Sequence, residues 1–237
     1  MTQSARYAIY LAPAPESALW RFGCQVIGRD AATGDEFSSF APDGFDAATW
    51  RGMTVEPRRY GFHATIKAPF RLAENKREEA LFEAAAELAA AQRPFDAGAL
   101  CVSTLPIGAA EAFIALTPAA PSLEIASLES VVVRALDHFR APLTAEERAR
   151  RKPDQLSSRQ RENLDKWGYP YALDEFRPHF TLSDALADSA PVASALAREF
   201  AARVASPALI VDALVLFAQS NSGGDFTILR RFPFRGA

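Results

Sequence analysis

Cysteine is scarce in this 237-residue chain: Cys24 and Cys101 are the only two, and no CxxC pair occurs. Both read as reduced, buried small residues rather than as a disulfide. Histidine is rarer than usual, with three in all, and neither HxH nor HExxH is present. A hydrolase built on several converging metal ligands is therefore disfavoured. A serine hydrolase would want a nucleophile elbow, and no GxSxG occurs. No apolar run is long enough to cross a bilayer, and no apolar signal core follows Met1-Thr2-Gln3-Ser4-Ala5-Arg6. The expectation is a cytoplasmic chain with no membrane partner. A strong charge of either sign is also missing, since the formal net charge is -3. No basic field advertises long duplex nucleic acid, although a local basic pocket for a small anion stays open. What remains is ordinary for a globular chain, 49% hydrophobic and 23% charged, and long enough for one large domain or two small lobes.

Against that scarcity, two of the three histidines share one frame. The first copy reads Phe62-His63-Ala64-Thr65-Ile66-Lys67, the second Pro178-His179-Phe180-Thr181-Leu182-Ser183. Strand side chains alternate faces, so Phe62, Ala64 and Ile66 oppose His63, Thr65 and Lys67. Likewise Pro178, Phe180 and Leu182 oppose Arg177, His179, Thr181 and Ser183. Each strand buries an apolar face and offers an imidazole and a hydroxyl on the other. Imidazoles titrate near neutrality, so one can take a proton while its counterpart gives one. The two threonine hydroxyls can donate to phosphoryl oxygens. Lys67, Arg177 and Ser183 follow from alternation alone as candidates to touch substrate, unless strand phase slips at a bulge. His138 lies near a helix end with no Thr after it, and takes no catalytic role.

The rest of the chain repeats an order. Tyr7 to Leu11 predicts a strand, and Glu16 to Ile27 a helix ended by Gly28. Residues 29–58, rich in turn formers, read either as a loop over a groove or as a surface connection. After the first motif strand come a helix to about Gln92, strands at 100–105 and 112–116, and a helix from Ser122 to about Phe139. Residues 144–170 form a charged connector, either a solvated helix pair broken near Pro153 or a lid that brings an arginine to the substrate. After the second motif strand come a helix at about 192–204 and strands at 209–217 and 226–232. Each motif strand is thus followed by a helix and two strands, which suggests an internal duplication. The expected architecture is a single bilobal α+β domain. Two antiparallel sheets flanked by helices would enclose a central groove, with lobe one at about 60–118 and lobe two at about 176–233.

The doubled motif resembles that of the two-histidine (2H) phosphoesterase superfamily, the group of RNA 2′,5′-ligase-like proteins and cyclic phosphodiesterases. More narrowly, the start at Arg6-Tyr7-Ala8-Ile9-Tyr10, the stretch from Tyr60 to Phe70, the connector's end at Trp167-Gly168-Tyr169-Pro170-Tyr171 and the run from Arg177 to Leu182 resemble a bacterial branch tied to phosphonate metabolism operons. The resemblance implies metal-independent cleavage or ligation of a cyclic phosphodiester, with no cofactor. One of His63 and His179 would be the base and the other the acid, and Thr65 and Thr181 would hold the non-bridging oxygens. It implies a small phosphorylated substrate, such as a 2′,3′-cyclic nucleotide or ribose cyclic phosphate, or an RNA end. The rival of another class is a non-catalytic protein of the same fold that binds a nucleotide or RNA end. Two titrating groups in matched positions speak against binding alone. Neither the oligomeric state nor the split of acid and base roles is legible.

Overall fold

The computed structural model describes residues 5–221 and 223–236. Eight strands and eight α-helices alternate along it. In chain order they are β1 (Arg6–Leu11), α1 (Ala18–Ile27), α2 (Ala47–Gly52), α3 (Val55–Tyr60), β2 (Ala64–Arg71), α4 (Glu78–Ala90), β3 (Phe95–Ile107) and β4 (Glu111–Pro118). Then follow α5 (Leu123–Leu136), α6 (Ala145–Arg150), α7 (Ser158–Trp167), β5 (Phe180–Thr181), α8 (Ala190–Arg203), β6 (Ala208–Val211), β7 (Ala213–Gln219) and β8 (Thr227–Pro233). Sequence chemistry explains several boundaries. Ser17 caps α1 by accepting from the Trp20 N–H, and Gly28 ends it in the left-handed region at φ +85°. Thr144 and Ser157 open α6 and α7 with capping boxes, so the connector does hold a helix pair divided around Pro153.

The α+β architecture expected from the pattern is observed. The strands pair antiparallel in the order β6-β3-β4-β5-β2-β1-β7-β8. The two motif strands, β2 and β5, are neighbours at the middle of that order. The halves of the sequence are interleaved in space. β5 pairs with the β3–β4 hairpin from earlier in the chain, and β2 joins β1 and the later β7–β8 hairpin. Only Asp212 separates β6, at one edge of that order, from β7, next to last at the other. The sheet must therefore curl until its ends approach. The expected strand at 209–217 is in fact these two.

Other differences have local causes. The 29–58 stretch is no bare surface connection, because Trp50 anchors it. Trp50 is 2% exposed, donates its indole N–H to the Val26 carbonyl and packs edge-on against Phe40 and Phe45. Cys24 is buried as expected, but Cys101 faces solvent from β3. The second motif strand shrinks to two ladder residues.

Candidate active site

The site is built where β2 and β5 meet. Ala64 and Phe180 are direct partners. Continuing that antiparallel register sets His63 opposite Thr181 and Thr65 opposite His179. Directly opposed residues stand about 4.5–5.5 Å apart at Cβ, with the diagonal histidines at roughly 7–8 Å. Beneath, the apolar face is locked: Phe62 and Phe180 are fully buried with ring centroids 5.1 Å apart. A slip of one residue would bury both imidazoles, so this packing fixes which face they occupy.

The two imidazoles are held alike. His63 Nδ1 lies 2.8 Å from the Gly61 carbonyl, and His179 Nδ1 lies 2.8 Å from the Arg177 carbonyl. Each Nδ1 is thereby the donor, which leaves Nε2 as the nitrogen with a lone pair. Thr65 Oγ1 is 3.3 Å from His63 Nε2. Gly61 can present its carbonyl because it adopts φ +81°, and a Cβ there would come within 2.6 Å of Ala31. Its role is the turn after α3.

Burial and surroundings tune the pair. His63 stacks on Tyr10 with centroids 3.6 Å apart and planes 16° from parallel. Burial pushes its pKa down to about 4; the Gly61 bond opposes this, and His179 adds a further lowering. Burial also holds His179 below its ordinary value, against the pull of the Arg177 carbonyl. In the unliganded protein both imidazoles are thus neutral at neutral pH. Either imidazole would need an added negative charge nearby to hold a proton at that pH.

The structure redistributes the candidates suggested by alternation. Lys67 is 3% exposed, and its ammonium donates to Asp137 Oδ1 at 2.9 Å. The cause is a bulge: Tyr10 pairs with Thr65 but Ile9 with Lys67, so Ile66 is extra and the phase shifts. Lys67 still borders the narrow pocket beside Thr65. Ser183 is a correction. It is 1% exposed, its Oγ accepts from the Ile114 N–H at 2.9 Å and donates to the Asp184 carbonyl at 2.9 Å, so its hydroxyl is committed to the backbone. Arg177 is exposed and makes no ion pair among the described residues. His138 is exposed at the end of α5, with Nδ1 on the Ala135 carbonyl.

Three further features flank the pair. Tyr10 is fully buried beneath His63, and its hydroxyl has no partner. Glu129, also buried, lines the pocket with Thr65, Lys67, Trp167, Tyr169 and Tyr171. Glu129 Oε1 accepts from the Leu173 N–H at 3.0 Å, while Oε2 is unpartnered. Arg151, from the turn after α6, lies 5.2 Å over the Tyr169 ring. Nothing in spacing marks Glu129, whereas Arg151 lies in the charged connector that the sequence offered as a source of an arginine. Among the described residues, no three His, Cys, Asp or Glu side chains converge as a metal site. No helix among them is long and apolar enough to cross a membrane.

Paired His-x-Thr strands at the centre of an α+β fold form the arrangement that the sequence resemblance implies for a two-histidine phosphoesterase. The chain itself belongs to the family described as protein of unknown function (DUF1045), whose model matches residues 65–227. It is 36% identical over 236 residues to a Janthinobacterium sp. (strain Marseille) protein named ribose 1,5-bisphosphate phosphokinase PhnN, covering 98% of this chain and 51% of that protein. The chain spans about half the length of the curated relatives it matches. Among solved structures it is similar to TT0787 of Thermus thermophilus, at 13% identity and a TM-score of 0.48, covering 98% of both chains. It is also similar to E. coli LigT complexed with NADP+, at 13% identity and a TM-score of 0.47, covering 98% of this chain and 99% of that one.

Proposed function

We propose that this chain is a metal-independent phosphoesterase acting on a small cyclic phosphodiester by paired-histidine acid–base catalysis. The observation that carries the reading is the adjacency of β2 and β5, which sets two Nδ1-pinned imidazoles and two threonines on one face. The substrate's anionic phosphate enters between them, and Thr65 and Thr181 donate to its non-bridging oxygens. The phosphate's charge raises the pKa of a neighbouring imidazole, which takes up a proton. The neutral imidazole accepts a proton from water as the water oxygen bonds to phosphorus. The bond from phosphorus to the departing sugar oxygen breaks, and the imidazolium protonates that oxygen. The product is a phosphate monoester with a freed hydroxyl, and the two histidines have exchanged protonation states.

A ribose cyclic phosphate is the substrate class favoured, in the setting of phosphonate metabolism. The name of those relatives concerns a ribose phosphate, which agrees with that class. A phosphokinase activity such as those relatives are named for calls for a phosphate-binding loop, yet this chain contains no GxxxxGK(S/T). The half of those proteins outside the matched region is the better place for it. The test compares wild type, His63→Ala and His179→Ala with EDTA present, on 2′,3′-cyclic nucleotides and ribose cyclic phosphates. Each substitution should lower turnover about 10²–10⁴-fold, the usual share of acid–base catalysis. Binding without turnover would instead make this a nucleotide- or RNA-end-binding protein. Turnover indifferent to both substitutions would refute the mechanism.

A further inference from the structure

The connector delivers an arginine to the flank of the site. α6 is tied down by a bidentate pair, with Arg71 Nε and Nη2 donating to Glu147 at 3.0 Å each. Arg148 pairs with Asp165 of α7 at 2.9 Å. Immediately after α6, Lys152 adopts φ +48°, a left-handed conformation uncommon outside glycine, and the turn it makes precedes Pro153. The neighbouring Arg151 is the connector cation that rests on an aromatic ring of the pocket. It makes no ion pair among the described residues, and its guanidinium rests on the Tyr169 ring.

Tyr169 borders the same narrow pocket as Thr65, and Arg151 lies beyond it. A group held by Arg151 is therefore one aromatic ring removed from the phosphoryl group that Thr65 holds. Tyr10 on β1, whose phenol feels both Tyr169 and Arg151, carries a buried, unpartnered hydroxyl on the ring that stacks against His63. A buried donor without a partner is costly, commonly about 1–3 kcal/mol, and marks a place where a ligand can supply the acceptor. Burial holds both the Tyr10 and Tyr169 phenols above their ordinary pKa, so both remain donors at neutral pH. Arg6 is occupied elsewhere, its Nε donating to Gln219 at 2.8 Å.

We infer that Arg151, with the Tyr10 and Tyr169 hydroxyls, forms a second anion subsite that holds a non-reacting phosphate monoester of the substrate. The inference rests on the phosphoesterase reading and narrows it. The substrate class becomes a cyclic phosphodiester that carries a further phosphate, such as a sugar phosphorylated at a second hydroxyl. A guanidinium fork suits a phosphate dianion, and its partial desolvation strengthens the contact.

Two measurements test this. In the first, kcat/KM is compared for 2′,3′-cyclic AMP with and without a 5′-phosphate. Wild type should favour the phosphorylated form about 10–100-fold, the range of a charge-assisted hydrogen-bonded contact, mainly through KM. Arg151→Ala should erase that preference, and Arg151→Lys should restore part of it. Arg148→Ala, whose side chain is engaged with Asp165 away from the site, should keep the preference. In the second, calorimetric binding of ribose 5-phosphate is measured for wild type, Arg151→Ala and Arg148→Ala. Only Arg151→Ala should lose it, at unchanged melting temperature. Binding that depends on Arg151 in a protein that cleaves no cyclic phosphate would uphold the subsite while sinking the phosphoesterase reading. Equal losses on both cyclic substrates, or no ribose 5-phosphate binding by wild type, would overturn the subsite itself.

Discussion

Replacing Glu129 by Gln should flatten the dependence of stability on pH. Glu129 sits on the buried face of α5 and is 1% exposed. Burial pushes its pKa up from 4.5 to about 7, against the Leu173 N–H and the charges of Lys67 and Arg134, while Asp174 adds to the rise. A carboxyl raised in the folded state binds a proton there that the unfolded chain has already released. Its contribution is complete below about pH 4.5 and is lost as pH climbs through 7. At 1.36 kcal/mol per pKa unit, the wild type forfeits up to about 3 kcal/mol across that window. Gln keeps an acceptor for the Leu173 N–H and does not titrate. For a chain of this size each kcal/mol moves the melting temperature by about 2–4 °C. Between pH 5 and 8 the wild type should therefore lose roughly 5–10 °C more than Glu129→Gln, measured by calorimetry in low-enthalpy buffers. Parallel curves would refute the reasoning. They would mean that Glu129 is already ionised in the fold, held by Lys67, or that water reaches Oε2.

Further outcomes follow from the same geometry. A Cβ at Gly23 of α1 would lie 2.3 Å from the Phe62 ring, which is itself fully buried. Gly23→Ala should cost about 1–3 kcal/mol by overpacking, read as a lower urea midpoint, and a neutral result would show that Phe62 can yield. Because both imidazoles are neutral in the free protein, binding of a substrate analogue at pH 7 should take up protons. Calorimetry in buffers of different ionisation enthalpy would count them, and a buffer-independent enthalpy would contradict the depressed values at His63 and His179. Ser183→Ala should lower stability by about 1–3 kcal/mol, since the Ile114 N–H loses its buried acceptor, and should not raise KM selectively. A KM effect without a stability effect would return Ser183 to the substrate.

Local chemistry wrote much of this into the chain. Alternation placed His63 with Thr65 and His179 with Thr181, because two-residue periodicity depends only on the backbone being extended. Gly28 and Ser122 marked helix ends, since a cap is satisfied within a few residues of itself. The doubled motif suggested the chemistry proposed for the site. Neighbours distant in sequence decided the rest. The pairing of β2 with β5 across the interleaved halves, rather than within each, is set by how a curled sheet buries its faces. The bulge at Ile66 that turns Lys67 toward Asp137 depends on the register with β1, and alternation within β2 cannot reveal it. The stacking of Tyr10 on His63, the burial of Glu129 and the reach of Arg151 to Tyr169 likewise join residues that spacing never relates. The sequence determined which groups could do the chemistry. Tertiary structure alone decided their protonation, their free nitrogens and the side chains that flank them, because burial and contact belong to the folded chain as a whole.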